Sequence, residues 1–453
     1  MLKQLLPFIL CFVAIGYSQT HQDSIVARNQ LKQELKTEIL EELNAEGKDA
    51  DTTAKKKVKI WDRFGLKGYG VVNYYNVNYD TDPNLKDKID AERLNLYLTY
   101  KFNDWITFKS EIEFEHGGTG SSIELDNQEE FGEYEQEIEK GGAVKAEQIN
   151  INFAIRPYFN VRAGRLKLYF GLAQKLDEPT EYFSTTRPEM EAQILPLGWY
   201  ENGVEFHGDF LKNKFTYHLT VTNGLDASGF SSRNWIKFGY QEKFELVNAQ
   251  ALAVMGRLDY NFSDQKNNFV GVSGYLGNSA PNRPKNDMQV SAYVSLVEAH
   301  INYDQEYLRF NSILLFGNLE NSDIVSKANA NLSNNLGVKR NPVGKNALGF
   351  SAEVGYEMLH FISPSTKQMI YPFARYDYYD TMFRTEGNVV DKPRWERNAI
   401  TGGFNWFIIP EVVVKAQYQD RRLGSENFDP ATLSFTGKKQ REKTFSVGIG
   451  FEF

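Results

Sequence analysis

The amino-acid sequence predicts an all-β transmembrane protein, a 16-stranded antiparallel outer-membrane β-barrel preceded by a short N-terminal helix. Three observations predict it. From residue 61 to residue 453, apolar and polar residues alternate with a period of two in many short segments, which is the pattern of strands with one apolar and one polar face. The connections between these segments alternate between short and long, as in bacterial transmembrane barrels. The chain also begins with the features of an export signal.

The composition agrees with many alternating strands. The chain mixes 32 Phe and 25 Tyr with 35 Gly and many polar residues, at a mean hydropathy of −0.49. No run of about 18 apolar residues follows the N-terminal segment, which excludes a polytopic helical membrane protein. The net charge of −8 argues against nucleic acid as a partner.

Residues 1–18 are predicted to be a signal peptide that is cleaved after Ser18. Lys3 supplies the positive charge, residues 5–15 form the apolar region, and Gly16 and Ser18 are the small residues before the cut. The one cysteine lies inside this segment, so the mature chain is expected to have no thiol for catalysis or for a disulfide. We therefore expect export to the outer membrane of a Gram-negative-type bacterium.

Residues 19–60 are predicted to be a periplasmic amphipathic helix followed by a linker. Within residues 23–46 the apolar positions recur at steps of four residues: Leu31, Leu35, Ile39 and Leu43. A short trimeric coiled coil and a lone solvated helix fit this pattern equally well. Residues 47–59 are polar, charged and without periodicity, which predicts a linker ahead of the transmembrane barrel at 61–453.

Sixteen segments are predicted to be the barrel strands. In one of them Leu94, Leu96 and Leu98 alternate with more polar residues, which puts all three leucines on one face. The segments span residues 69–78, 90–102, 105–115, 145–155, 159–168, 201–211, 214–223, 249–262, 268–277, 292–303, 306–317, 348–358, 369–379, 397–408, 411–420 and 443–453.

The connections favour a barrel over a soluble β-sandwich. Tight turns such as 103–104 and 212–213 alternate with long polar stretches such as 169–200 and 318–347. A sandwich has no reason to place all its long loops at alternate connections, whereas a transmembrane barrel has long loops at one end. The apolar face would then contact outer-membrane lipid, the polar face would line the lumen, and both termini would be periplasmic.

The last strand and several internal segments carry two resemblances. The ending TFSVGIGFEF is similar to the closing-strand signal that the outer-membrane barrel assembly machinery recognises, with the terminal Phe453 as the residue that is bound. The alternative is an ordinary amphipathic strand that happens to be last.

Other segments resemble the phosphate-selective porin O and P family in their order and spacing, although no single motif is specific. These are VRAGRLKLYFGLAQ at 161–174 followed by EYFSTTRPE, GVEFHGDF at 203–210, TNG at 222–224, GRLDYNF at 256–262, PFARYD at 372–377 and GGFNWF at 402–407.

This resemblance covers almost all of residues 61–453. It implies a porin: a sixteen-stranded barrel, a homotrimer, and passive movement of small hydrophilic solutes through each lumen. Anions such as phosphate or pyrophosphate are the solutes that the family suggests. It implies no cofactor, no metal and no enzymatic activity.

The charges of the lumen depart from that family pattern. Alternation places six bases on the polar face, namely Arg93, Lys109, Arg257, Arg309, Arg375 and Lys415. It places six acids there as well, namely Glu111, Glu113, Asp259, Glu298, Glu353 and Asp377. Phosphate selection calls for an excess of inward bases, so this balance does not predict a strongly anion-selective pore. Neighbouring bases and acids, such as Arg257 with Asp259, are explained at least as well by neutralising each other's charge as by binding a solute.

Arg165, Lys167 and Arg187 are the candidate constriction residues. Arg165 and Lys167 match the family's basic positions, and Arg187 lies in the following loop, which we expect to fold into the lumen. Simple alternation would turn Arg165 and Lys167 toward lipid, where a charge is costly. A bulge at Gly164 would re-aim them inward, and this is the arrangement we expect; the alternative is that they lie above the membrane.

Other functions have less support in these residues. An enzyme would need catalytic or metal-spaced groups, and the six histidines show no H-x-x-x-H or paired spacing. An active transporter would need a large plug domain and a barrel of about 22 strands. The acidic segment 116–143 is predicted to be a solvated loop, with a divalent-cation site as the weaker interpretation. A non-conducting structural or adhesive barrel is the alternative to a channel.

Overall fold

The computed structural model describes residues 60–118, 142–241, 247–263, 267–332, 340–425, 427–429 and 434–453. The predicted signal peptide, the predicted N-terminal helix and linker, and most of the acidic segment 116–143 lie outside the described residues.

The described residues form a closed antiparallel barrel of sixteen strands. Each barrel strand pairs with its neighbours in the chain, and β18 closes the ring by pairing with both β15 and β1. The strands are β1 (Phe64–Tyr79), β2 (Lys88–Lys101), β3 (Ile106–Glu115), β4 (Ala143–Arg156), β5 (Phe159–Lys167), β6 (Tyr200–Phe210), β7 (Phe215–Asn223), β8 (Leu252–Asn261), β9 (Phe269–Asn278), β10 (Tyr293–Gln305), β11 (Leu308–Leu319), β12 (Asn346–Tyr356), β13 (Met369–Arg384), β14 (Glu396–Ile409), β15 (Val412–Leu423), β16 (Asn427–Asp429), β17 (Ser434–Thr436) and β18 (Gln440–Glu452). β16 and β17 make a separate two-stranded sheet inside one long loop.

The predicted barrel is confirmed, and each of the sixteen predicted segments overlaps one barrel strand in the expected order. The largest difference at a strand start is in β1, which begins at Phe64 and not at residue 69. Three glycines within FGLKGYG carry no side chain, so the period of two is hard to detect there. Pairing with β2, from Phe64 opposite Tyr100 onward, fixes this part of the strand.

The long loops contain short helices that the sequence pattern did not predict. The α-helices are α1 (Glu189–Ile194), α2 (Ser322–Ala330) and α3 (Leu359–Ile362), of which α3 lies at a short-turn connection. Short 3₁₀ turns occur at Ile60–Arg63, His116–Gly118, Ala227–Gly229, Lys237–Gly239 and Pro393–Trp395. None of the helices in the described ranges is long and apolar enough to cross a membrane.

The two faces of the barrel wall differ as the alternation requires. On β8, Val254 and Leu258 are 45% and 40% exposed on the outer face, whereas Arg257 and Asp259 are 3% and 0% exposed on the inner face. The outside is therefore an apolar surface suited to lipid, and the closed ring pairs the backbone polar groups that lipid could not satisfy.

Residues 168–199, which connect β5 to β6, fold into the barrel and form what we call the inner loop. The loop contacts strands far apart on the ring. Thr180 donates to Glu452 of β18 at 2.6 Å, and the Thr180 carbonyl accepts from Arg309 of β11 at 3.1 Å. The backbone N–H of Thr185 donates to Gln417 of β15 at 3.0 Å. The loop therefore spans the interior from one wall to another.

An apolar cluster lies inside the barrel beside the inner loop. It joins side chains of the inner loop, of the loop after β7 and of the inner faces of β8 to β13. Its largest fully buried members are Trp199, Trp235, Phe170, Phe230, Phe269 and Tyr379. The hydrophobic core of this protein thus lies within the lumen, while the outer face of the wall is left apolar and exposed.

Candidate constriction in the barrel lumen

Three bases converge on the carboxylate of Asp177 in the inner loop. Oδ1 lies 3.1 Å from Nη1 of Arg93 and 2.5 Å from Nη2 of Arg187. Oδ2 accepts from Nζ of Lys167 at 2.8 Å and from the hydroxyl of Tyr69 at 3.3 Å. Both carboxylate oxygens therefore have two donors, and charge-assisted hydrogen bonds of this kind are the stronger ones. We call Asp177, Arg93, Lys167, Arg187 and Tyr69 the Asp177 cluster.

The Asp177 cluster lies beside further acids. Arg93 also donates to the hydroxyl of Tyr182 at 3.3 Å and lies 4.0 Å from a second carboxylate, Glu113. Within 4.0 Å, three bases face these two acids, and Glu111 and Glu181 also interact with Lys167. The cluster is buried, with 5–10% of each charged side chain exposed, so its charges are weakly screened.

The backbone conformation is unusual at Gly164, three residues before Lys167, whose side chain points into the lumen. Gly164 has φ of +130°, and a side chain there would place Cβ 2.3 Å from the carbonyl oxygen of Ile149. In the β4–β5 ladder Gly164 pairs in register with Asn150. The nearby register shift lies in the β3–β4 ladder, where Glu147 of β4 is the extra residue between Gln148 and Ala146. The predicted bulge at Gly164 is therefore wrong. Gly164 has an unusual φ but pairs in register, and the bulge lies at Glu147 of the neighbouring strand.

Arg165 is buried beside that irregularity and does not join the Asp177 cluster. Its side chain is 4% exposed, and Nε donates to the carbonyl of Glu147 at 3.2 Å. Of the three candidate constriction bases, the structure brings Lys167 and Arg187 together on Asp177 and leaves Arg165 on the neighbouring wall.

A second group of contacts fixes the inner loop against β13 and β15. Arg375 donates to Asp377 at 2.8 Å and also bonds the hydroxyl of Ser184 in the loop. Lys415 donates to the carbonyls of Tyr182 and Ser184 at 2.6 and 2.9 Å. Both bases therefore hold the loop backbone or one of its hydroxyls.

A third group surrounds Asp259 on the inner face of β8. Arg257 donates through Nε to Asp259 at 2.9 Å, and Lys175 of the inner loop donates to the same carboxylate at 2.8 Å. His300 lies 2.9 Å from Asp259 and 2.8 Å from Glu298. Arg257 also donates to the carbonyl of Gly171 at 2.5 Å. Burial and the neighbouring Arg257 lower the pKa of Lys175, although Asp259 opposes the shift.

The two other candidate lumen bases lie apart from these groups. Arg309 donates to Asp304 at 3.2 Å and stands 5.0 Å from the centre of the Tyr371 ring. It lines a cavity of about 280 Å³ between the inner loop and the short-turn end of the barrel. Lys109 lies over the Tyr97 ring, 5.6 Å from its centre.

Two glutamates of α1 hold the far end of the inner loop. Glu189 accepts from Arg421 at 2.6 Å and from Gln419 at 2.8 Å. Burial alone would raise the pKa of Glu189, but Arg421 holds the pKa below its usual value. Glu191 accepts the backbone N–H groups of Leu172 and Ala173 at 2.8 and 3.1 Å. Burial raises the pKa of Glu191 to about 7.

Sequence reasoning missed the acids of the inner loop. Asp177, Glu189 and Glu191 each hold several groups, yet none was a candidate residue, because acids in a long polar loop are usually solvated. The repeated presence of bases at 165, 167 and 187 around this stretch was the one available signal. No group of three or more His, Cys, Asp or Glu in the described ranges could hold a metal ion.

Comparisons with known proteins show the fold. No family model matches the chain. An uncharacterized protein of Aquifex aeolicus strain VF5 is 29% identical over 371 residues, which cover 81% of this chain and 77% of that protein. The anion-selective porin of Comamonas acidovorans matches with a TM-score of 0.50 at 10% identity, covering 86% of this chain and all of that chain. Salmonella typhi OmpF, solved with daunomycin, matches with a TM-score of 0.48 at 12% identity, covering 86% and 97%. The match to the Comamonas porin shows that the chain has the fold of an outer-membrane β-barrel.

Proposed function

We propose that this protein is an outer-membrane porin, a passive diffusion channel for small hydrophilic solutes. The Asp177 cluster carries the proposal. It places three bases and a carboxylate inside a closed barrel whose outer face is apolar. Charges at a narrow, weakly screened place in a lumen control which ions enter. The fold shared with an anion-selective porin is consistent with this role.

The preferred solutes are small anions, phosphate and pyrophosphate among them. The support is local, since three bases converge on the one carboxylate of Asp177. Elsewhere on the wall Arg257, Arg309 and Arg375 each have a carboxylate partner within 3.2 Å, which argues for a modest overall preference. The nine candidate pore-lining bases are Arg93, Lys109, Arg165, Lys167, Arg187, Arg257, Arg309, Arg375 and Lys415.

The assembly follows from the same proposal. We infer a signal peptide cleaved after Ser18, insertion by the barrel assembly machinery through the strand that ends at Phe453, and a homotrimer in the outer membrane. Phe453 exchanges backbone hydrogen bonds with Gly68 at 2.8 and 2.9 Å, so its deletion should lower the folded fraction. Gel mobility before and after heating measures that fraction, and unchanged levels would contradict the role of Phe453.

A non-conducting structural barrel is the second candidate. The apolar cluster inside the barrel supports it, because the inner loop and the loop after β7 pack side chains such as Trp199 and Trp235 into the lumen. An enzyme has no comparable support among the described residues, where the buried His300 bonds Glu298 and Asp259 on the wall.

Planar-bilayer recording separates these candidates. The purified protein should conduct in KCl, with a reversal potential in a KCl gradient that indicates a modest preference for chloride. Titration with inorganic phosphate should lower the chloride current if phosphate binds in the lumen. No conductance from protein that shows the folded gel mobility would contradict the channel and favour the structural barrel.

A further inference from the structure

We propose that the cations around Asp177 form a carboxylate-binding site of the channel, which the chain's own Asp177 occupies when no solute carboxylate is bound. The inference rests on the proposed channel function and goes beyond it by naming a ligand class and a site. The ligand would be the carboxylate of a small organic acid.

The site has the donor arrangement of a carboxylate receptor. Its donors come from separate parts of the molecule: Tyr69 from β1, Arg93 from β2, Lys167 from the end of β5, and Arg187 from the inner loop. They divide two and two between the oxygens of one carboxylate, at 2.5–3.3 Å. Arginine and lysine are the groups that bind carboxylates most strongly.

The number of cations exceeds what one tethering contact requires. An ordinary buried ion pair has one base, whereas here three bases share the carboxylate of Asp177, and the next acid, Glu113, lies 4.0 Å from Arg93. In the described part of the chain, Nε of Arg93 and Nε of Arg187 have no hydrogen-bond partner. Asp177 therefore leaves two buried N–H donors of these cations unpaired.

The occupant is attached to a loop rather than to the wall. Asp177 lies in the inner loop, whereas three of the donors lie on barrel strands, so the carboxylate and its receptor can separate without breaking the barrel. A tethered ligand competes with a free one through its effective concentration. A solute carboxylate must therefore displace Asp177, and removal of the Asp177 carboxylate should increase the affinity for that solute.

Acetate inhibition of the chloride current tests the site. Wild type and Asp177→Ala are recorded in planar bilayers at constant KCl while acetate is added, with methanesulfonate as an anion of similar size that lacks a carboxylate. Acetate should lower the current of Asp177→Ala saturably, at a concentration at least about tenfold lower than in wild type. Methanesulfonate should be at least about tenfold weaker than acetate on the variant. The same acetate response in both proteins would overturn the proposal.

Two further variants identify the site. Asp304→Ala removes another lumen carboxylate, which bonds the single base Arg309, and should leave the acetate response as in wild type. Arg187→Gln in the Asp177→Ala background removes one donor and should weaken acetate inhibition at least about tenfold. An effect of Asp304→Ala equal to that of Asp177→Ala would overturn the assignment.

A binding measurement that needs no conductance separates this proposal from the channel. Acetate should raise the temperature of the heat-induced gel shift of Asp177→Ala in detergent, and methanesulfonate should not. If wild type does not conduct KCl but the variant shows this shift, the channel fails and the site stands; if wild type conducts and acetate has no effect on the variant, the site fails alone. Should Asp177→Ala not fold, Asp177→Asn serves the same comparison, because it keeps the size of the side chain and removes its charge.

Discussion

The inner loop meets the barrel wall in two different ways. Toward β8 to β12 it packs mainly apolar side chains such as Trp199 and Leu168, both 0% exposed, into the apolar cluster, beside the ion pair of Lys175 with Asp259 that is described above. Toward β1, β2, β13 and β15 it makes ionic contacts through Asp177 and Glu189 and receives the donors Arg375 and Lys415. Apolar burial is non-directional, while charges set a local field that an ion senses. The apolar side thus buries the loop against the wall, and the ionic side places charged groups that a solute in the proposed channel would meet.

The largest expected loss of stability comes from the apolar side. Trp199→Ala removes a fully buried ring that lies 4.9 Å from Tyr275 and 6.1 Å from Phe170 between ring centres. We expect a loss of about 3–5 kcal/mol. Urea titration of the folded gel band measures it. Trp105→Ala is the matched control, because Trp105 is 50% exposed; equal losses in the two variants would remove the distinction between the loop core and the surface.

A change on the ionic side should affect stability less and selectivity more. Lys167→Met removes one of the three bases on Asp177 and keeps an apolar stem of similar length. Loss of the 2.8 Å contact should cost about 1.5–3 kcal/mol and shift the reversal potential toward cations. Lys212→Met, in an exposed turn, should do neither. An unaltered anion-to-cation ratio with intact folding would exclude Lys167 from the constriction.

Reversing the charges at the entrance to the inner loop extends that test. The sequence alone predicts that Arg165→Glu with Lys167→Glu shifts selectivity toward cations and leaves heat stability nearly intact. The contact of Lys167 with Asp177 changes the second expectation, because a new carboxylate would lie beside an existing one. The double variant should therefore lose heat stability as well, and a wild-type shift temperature would contradict the contact.

The smallest expected effect is a pH dependence from Glu191. Its pKa is about 7 in the folded loop and near 4.5 when the loop is released. Between these values the folded state holds a proton that the released state has lost, so stability is full below about pH 4.5 and falls as the pH rises to about 7. Among the charged groups, Glu298 raises and His300 lowers the pKa of Glu191, each by less than burial does.

Glu191→Gln should flatten that dependence, because the amide does not titrate in this range. The heat-induced gel shift at pH 5 and pH 8 measures the change, and wild type should unfold at a lower temperature at pH 8. Glu306→Gln, at an exposed turn, should keep the wild-type slope. A slope in Glu191→Gln equal to that of wild type would assign the pH dependence to another group.

The strands were predictable because their signal is local. Successive side chains of a strand point to opposite faces, so the alternation around Leu94 or Val414 predicts both the strand and its inner face. The positions of Arg165 and Lys167 were not predictable in this way, since the backbone at Gly164 takes φ of +130° and the alternation does not continue through it. The helix α2 was also missed, because a nine-residue helix within a polar loop gives a weak periodic signal.

The sequence by itself determined the number and order of the strands, the face that most side chains take on the barrel wall, and the presence of both bases and acids on the inner face. Tertiary structure alone decided which charges meet. Arg93 and Asp177 are 84 residues apart, and their contact depends on the path of the inner loop across the lumen. Period-two alternation follows from the geometry of one extended strand, whereas that path follows from the packing of Trp199 and its neighbours against strands distant in the chain. For this reason the sequence predicts a charged lumen, and only the folded loop shows that three of its bases share one carboxylate.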